Sequence, residues 1–230
     1  MNYLYLLLNL GSLSIPFLFS FHPKLKFYKL WKPLFKGIFV SMLLFIPWDI
    51  IFTVNEFWGF NDSYLLGLKL FHLPIEEWLF FICIPYACVF THEALLYYFP
   101  KMILPTSVTK AVSLVLIISL AILAISNYNK WYTFINFTVA SILLVIVVIK
   151  NLALLKTFYL TFLVMLIPFF VVNGILTGSF IKDEVVWYNN SENLHIRLFT
   201  IPVEDVAYAF SLILLCLLVM KQTQKNKQLT

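Results

Sequence analysis

Seven apolar windows, each long enough to cross a hydrocarbon layer, divide this chain between them. They lie at about 2–21, 33–54, 74–98, 109–126, 132–150, 157–177 and 202–220. A helical span needs about 20 mostly apolar residues. The runs are continuous rather than alternating, which selects helices over a barrel of strands, the two structures that satisfy the backbone in lipid. The expected fold is an all-α integral membrane protein with seven transmembrane helices. Composition agrees: 62% of residues are hydrophobic, 12% are charged, and the mean hydropathy is +0.92.

The formal charge of +5 does not imply a nucleic-acid partner; what matters is where the basic residues fall. With the N-terminus outside, the inner segments collect Lys24, Lys26, Lys29, Lys32, Lys36, Lys101, Lys110, Lys150, Lys156, Lys221, Lys225 and Lys227. The outer segments keep Lys69, Lys130, Lys182 and Arg197. This asymmetry follows the positive-inside rule, so the expected orientation is N-terminus out and C-terminus in. The lipid bilayer is the expected environment, as a multi-pass protein of the cell (cytoplasmic) membrane. No basic residue precedes the first window and no persuasive small-residue cleavage site follows it, so it is expected as a span rather than a cleaved signal. Cys83, Cys88 and Cys216 fall inside spans and read as small apolar residues, not as a disulfide framework or a metal cluster.

The chain repeats itself. Leu73-Pro74-Ile75-Glu76-Glu77-Trp78 matches Ile201-Pro202-Val203-Glu204-Asp205-Val206. Upstream, Ile46-Pro47 matches Ile167-Pro168. The expected organisation is a first repeat over 1–100 (helices 1–3) and a connector with helix 4 over 101–131. A second repeat over 132–220 (helices 5–7) and a basic cytoplasmic tail over 221–230 complete it. An odd number of spans inverts a chain, so the fourth helix restores direction and the repeats run parallel.

The eleven acidic residues include four in those two tetrads, at the outer mouths of spans 3 and 7. Ionisable groups at the edge of a hydrocarbon layer are costly and point to function. Asp49 near the outer end of span 2 and Asn173 in span 6 reach the same depth. Trp48, Trp78, Phe80, Phe81, Tyr86, Tyr208 and Phe210 surround that layer. Acids in the first turn after a proline ordinarily complement the helix dipole. A dipole partner, however, need not be doubled, duplicated and joined by a third acid. His92-Glu93 reads as an interfacial pair, and His72 and His195 lack metal spacing. Trp187-Tyr188-Asn189 reads equally as a cavity cap or a headgroup anchor.

These residues resemble the lycopene cyclase domain family, the flavin-independent membrane cyclases of carotenoids. The matching stretches are Pro47-Trp48-Asp49 and Leu73 through Phe81 in the first half. In the second half they are Asn173 through Gly178, Val186 through Asn189, and Arg197 through Asp205. The resemblance implies the fused form of a family whose halves also occur as separate three-span subunits. It implies cyclisation of a linear carotenoid such as lycopene to a product such as β-carotene, with no net redox change. No cofactor or metal is expected: the six glycines nowhere form the G-x-G-x-x-G of a dinucleotide site.

The chemistry expected is acid–base. A carboxylic acid protonates the terminal alkene, a neighbouring double bond closes the ring onto the cation, and a carboxylate removes a proton. Glu77 and Asp205 are expected to handle protons, with Glu76 and Glu204 as close alternatives and Asp49 as a third acid or base. Asn173, Trp48, Trp78, Phe81 and Tyr208 are expected around the substrate. The partners are the linear carotenoid and the bilayer, leaving room for contact with other enzymes of the carotenoid pathway. The rival class is a small-solute transporter of the same parallel layout, which would favour polar breaks near mid-membrane. A retinal photoreceptor needs a lysine in the last span, and residues 202–220 hold none.

Overall fold

The structure is a computed structural model that describes residues 3–229, with side chains described for 3–226. The start of the first expected span at Asn2, Lys227 of the tail and the last residue, Thr230, lie outside these. The apolar windows become helices: α1 Leu4–Phe19, α2 Trp31–Val54, α3 Ile75–Tyr98, α4 Thr106–Ser126, α5 Trp131–Leu176 and α6 Val203–Leu229. Five of them are long and apolar enough to cross a membrane, and α1 is a shorter apolar helix of 16 residues. The protein is a helical, multi-pass membrane protein.

Two expected spans are merged in α5, and the physical reason for treating them separately is visible. A straight helix of 46 residues would be about 69 Å long. Yet Tyr132 at its start and Asn173 near its end both hydrogen-bond to the carboxylate of Asp205. The chain must therefore double back, and it does so at Asn151, whose φ of −156° and ψ of 65° leave the helical region. The Asn151 side chain accepts from the Leu154 N–H at 3.2 Å, capping the returning limb. Helix α5 is thus a hairpin of limbs 131–150 and 152–176.

From residue 221 to Leu229 the expected tail is helical and continuous with α6. Lys221 Nζ meets Glu93 Oε1 of α3 at 2.5 Å, which ties that end of α6 into the bundle.

Helix α1 lies along α3, the first limb of α5 lies along α6, and α2 crosses to pack on α6. The α2–α6 contact is close because Gly37 has no side chain: a Cβ there would sit 2.5 Å from the Cys216 carbonyl oxygen. Leu34, Ile38, Leu144, Phe158, Leu214 and Leu217 fill the core at one end of the bundle. Phe45, Trp48, Phe52, Trp58, Phe81 and Leu212 fill it at the other.

Three short two-stranded ladders, too brief to be read from sequence pattern, cover the second end. Strand β2 Lys69–Leu70 pairs with β3 Leu73–Pro74, and β5 Arg197–Leu198 pairs with β6 Ile201–Pro202. Strand β1 Trp58–Phe60 pairs antiparallel with β4 Val186–Tyr188, so the third ladder joins the two halves of the chain. Gly59 sits opposite Trp187 in this ladder, and a Cβ on Gly59 would fall 2.3 Å from the Trp187 indole.

Candidate active site

Each acidic pair is delivered by a two-residue hairpin turn. Phe71 and His72 adopt φ of 51° and 69°, and Phe199 adopts 60°, the left-handed conformations that suit tight hairpins. Pro74 and Pro202 then lead into α3 and α6, where no helical N–H partner is lost to the ring. The first helical N–H groups are tied back across the hairpin, Ile75 to the Leu68 carbonyl at 2.9 Å and Val203 to the Ile196 carbonyl at 3.1 Å. The acids follow at fixed positions in the first turn.

The two members of each pair part company, as successive residues of a helix must. Glu76 turns toward the loop and accepts the Leu66 N–H at 2.6 Å. Glu204 does the same with the Leu194 N–H at 2.7 Å and also accepts from Thr133 Oγ1 at 2.6 Å. Both are fully buried and hold the outer loops in place. Glu77 and Asp205 point inward. Tyr5 Oη donates to Glu77 Oε2 at 2.5 Å, and Tyr132 Oη donates to Asp205 Oδ1 at 2.5 Å. Below each pair an amide holds the helix start, Asn9 Nδ2 on the Glu76 carbonyl at 2.8 Å and Asn136 Nδ2 on the Glu204 carbonyl at 2.6 Å.

The same set of contacts therefore occurs twice, once in each half. Where the halves differ, the chemistry differs. Asn173 Nδ2 donates to Asp205 Oδ2 at 2.7 Å, and Tyr188 Oη donates to the same oxygen at 2.9 Å. Asp205 thus receives three donors. Opposite Glu77 stands Asp49 instead of an amide, the two carboxyls close enough to interact with each other. Asp49 Oδ1 accepts from Trp58 Nε1 at 2.7 Å, whereas Oδ2 meets no N–H or hydroxyl donor among the described residues. Two buried carboxyls that face each other are both acceptors unless one of them carries a proton. Burial and the adjacent Asp205 carboxylate push the Tyr188 phenol in β4 well above its usual range, so it remains a neutral donor.

Asp49, Glu77, Asn173 and Asp205 line one end of a single apolar cavity of about 490 Å³, within the size range of small-molecule sites. Trp58, Tyr132, Tyr188 and Tyr208 surround the acids. The Trp58 and Tyr132 rings meet edge to face, 5.0 Å apart, and Tyr132 stacks with Tyr188 at 5.8 Å. The β1–β4 ladder carries Trp58 and Tyr188 over this end.

The sequence-derived residues sort plainly. Glu77, Asp205, Asp49, Asn173 and Tyr208 line the cavity, and Phe80 does too. Glu76 and Glu204 do not; they brace loops. Trp48 packs against Phe45 and Tyr208, Phe81 is buried in the core, and Trp78 caps the Leu70 carbonyl at 3.2 Å, so none of these three lines the cavity. His92 lies away from the site, buried, with Nδ1 2.7 Å from Thr161 Oγ1. Sequence reading missed Tyr5, Tyr132 and Trp58, and left Tyr188 open between a cavity cap and a headgroup anchor; it lines the cavity. The first two carry a signal that could have found them: a tyrosine followed four residues later by asparagine occurs as Tyr5…Asn9 and Tyr132…Asn136.

The profile of the family described as "Lycopene cyclase" matches the chain in two segments, residues 2–95 and 129–222. The two segments contain all of the duplicated contacts and leave out the whole of α4. The chain matches no curated protein and no solved structure.

Proposed function

We propose, since the chain belongs to the lycopene cyclase family, that it closes rings on the end groups of a linear carotenoid by acid–base isomerisation. The observation that carries this reading is the meeting of three carboxyls from both halves, Asp49, Glu77 and Asp205, at one end of one apolar cavity. Family membership supports carotenoid cyclisation; the roles below are assigned from the hydrogen bonds.

The Asp49–Glu77 pair holds one proton between two buried carboxyls and is the general acid. It protonates the terminal alkene of the end group, and the π electrons of a neighbouring double bond close a six-membered ring onto the tertiary cation. Asp205 accepts three hydrogen bonds, which suits a carboxylate, and takes the ring proton as general base. The new double bond forms from that C–H pair; Asp205 then gives its proton up to solvent, and the acid pair takes a proton from solvent before the next cycle. Electrons and protons balance with no redox partner.

The cation between these steps faces Trp58, Tyr132, Tyr188 and Tyr208. A desolvated cation–π contact contributes about 2 kcal/mol, so several rings matter. The ladder over the acids keeps water from trapping the cation as an alcohol.

The same reading covers the finer topology. Seven crossings, with α5 counted as two, put the acid layer on the outer side and the lysine-rich segments inside a cell membrane. The segments 1–100 and 132–220 are then parallel repeats joined by α4. The test is product analysis of membranes supplied with lycopene. The wild type yields ring-bearing carotenoid, and Glu77→Gln and Asp205→Asn each lower the yield by about 10²–10⁴. Lycopene recovered unchanged with the wild type would overturn the reading.

A further inference from the structure

The cavity is a trench rather than a chamber, and its walls name its occupant. From the acids it runs between one face of α1 (Leu8, Ser12, Ile15), one face of α3 (Phe80, Ile84, Cys88) and the returning limb of α5 (Met165, Phe169, Val172). Along α3 it reaches from Glu77 to Thr91, about 20 Å at the helical rise. Away from the acids the lining is almost entirely hydrocarbon. Leu7 and Ile15 line it and are also 55% and 64% exposed, so the trench opens sideways along α1 onto the lipid-facing surface. Gly11 stands at this mouth, exposed, and a Cβ there would meet nothing within 4 Å.

The duplicated half closes the equivalent space. The counterparts of Leu8 and Ser12, matched through the Tyr5/Tyr132 and Asn9/Asn136 pairs, are Ile135 and Val139. They do not line this cavity but pack against the core of Phe45, Trp48 and Phe52. At the other end of the same helix pair, Gly37 lets α2 approach α6 closely. Two sets of acidic contacts thus serve one open-sided groove.

We propose that this groove, between α1 and the 152–176 limb of α5, binds the polyene tail of the linear carotenoid, which enters sideways from the bilayer past Gly11. The end group sits among the carboxyls, the adjoining polyene lies along the trench, and the far end stays in lipid. One end is therefore processed per binding event, and a second ring requires release and re-entry. This rests on the cyclase reading and adds to it the path and the tail site.

The test uses the full chain in membranes, with Gly11→Cys in a Cys88→Ser background, because Cys88 lines the same groove. A bulky apolar maleimide is added after assembly, and labelling is confirmed by mass. Two substrates are compared: lycopene, and a truncated polyene with the same end group and no tail. Labelling lowers lycopene turnover by about tenfold or more from the unlabelled rate, while the truncated substrate changes by less than about twofold. Leu10→Cys, exposed and outside the groove, is unaffected by the same label. Labelled Gly11→Cys that turns lycopene over at its unlabelled rate overturns the proposal, as does a parallel loss on both substrates. Failure of the wild type to form any ring would instead sink the cyclase reading itself.

Discussion

At the scale of single residues, the informative contrast is within one acidic pair. Glu76 and Glu77 are adjacent, equally acidic and both buried, yet one accepts a loop N–H and the other faces the cavity beside Asp49. Gln at position 76 still offers an oxygen to the Leu66 N–H, so Glu76→Gln is expected to slow ring formation by less than about tenfold. Glu77→Gln removes the proton donor and is expected to cost about 10²–10⁴. Initial rates of ring formation in matched membrane preparations check this, and equal losses would show that the pair acts as a unit. The acids themselves were legible in the sequence, because carboxyls are rare in so apolar a chain. Their hydrogen-bond donors were not. A lone tyrosine such as Tyr5 or Tyr132 inside an apolar run reads by default as an interface anchor. Only lining up the two halves would have separated these two from the rest.

At the scale of elements, the helices were legible and the ladders were not. Continuous apolar windows set the helix limits to within a few residues except at the end of α6, and the polar break between the windows at 132–150 and 157–177 foreshadowed the reversal at Asn151. Strands of two or three residues carry no periodicity, so the β1–β4 cap that joins the halves had no sequence signature beyond Trp187-Tyr188. That cap depends on Gly59, where any side chain collides with the Trp187 ring. Gly59→Leu is expected to pry the ladder apart, at a cost of about 1–3 kcal/mol. Water then reaches the acid end, and a hydroxylated acyclic carotenoid appears beside the ring product. Chromatography of the extracted pigments, read with the melting temperature in detergent, checks both effects. A pure ring product from a destabilised Gly59→Leu protein would show that the ladder does not exclude water.

At the scale of the whole molecule, duplication gives two nearly equivalent acid sites, and packing makes them unequal. Asp49 stands where the other half has Asn173, so one carboxyl is paired with a second acid and the other with donors. The sequence displayed that difference, but not that both would open on one groove, because that depends on Ile135 and Val139 packing against the core of Phe45, Trp48 and Phe52. The most direct measurement of the account is cyclisation of lycopene by these membranes in deuterium oxide, with mass analysis of the product. Protonation by an exchangeable carboxyl predicts one deuterium for each ring formed, lost together with the rings in Glu77→Gln. Rings that form in the wild type without deuterium would contradict it.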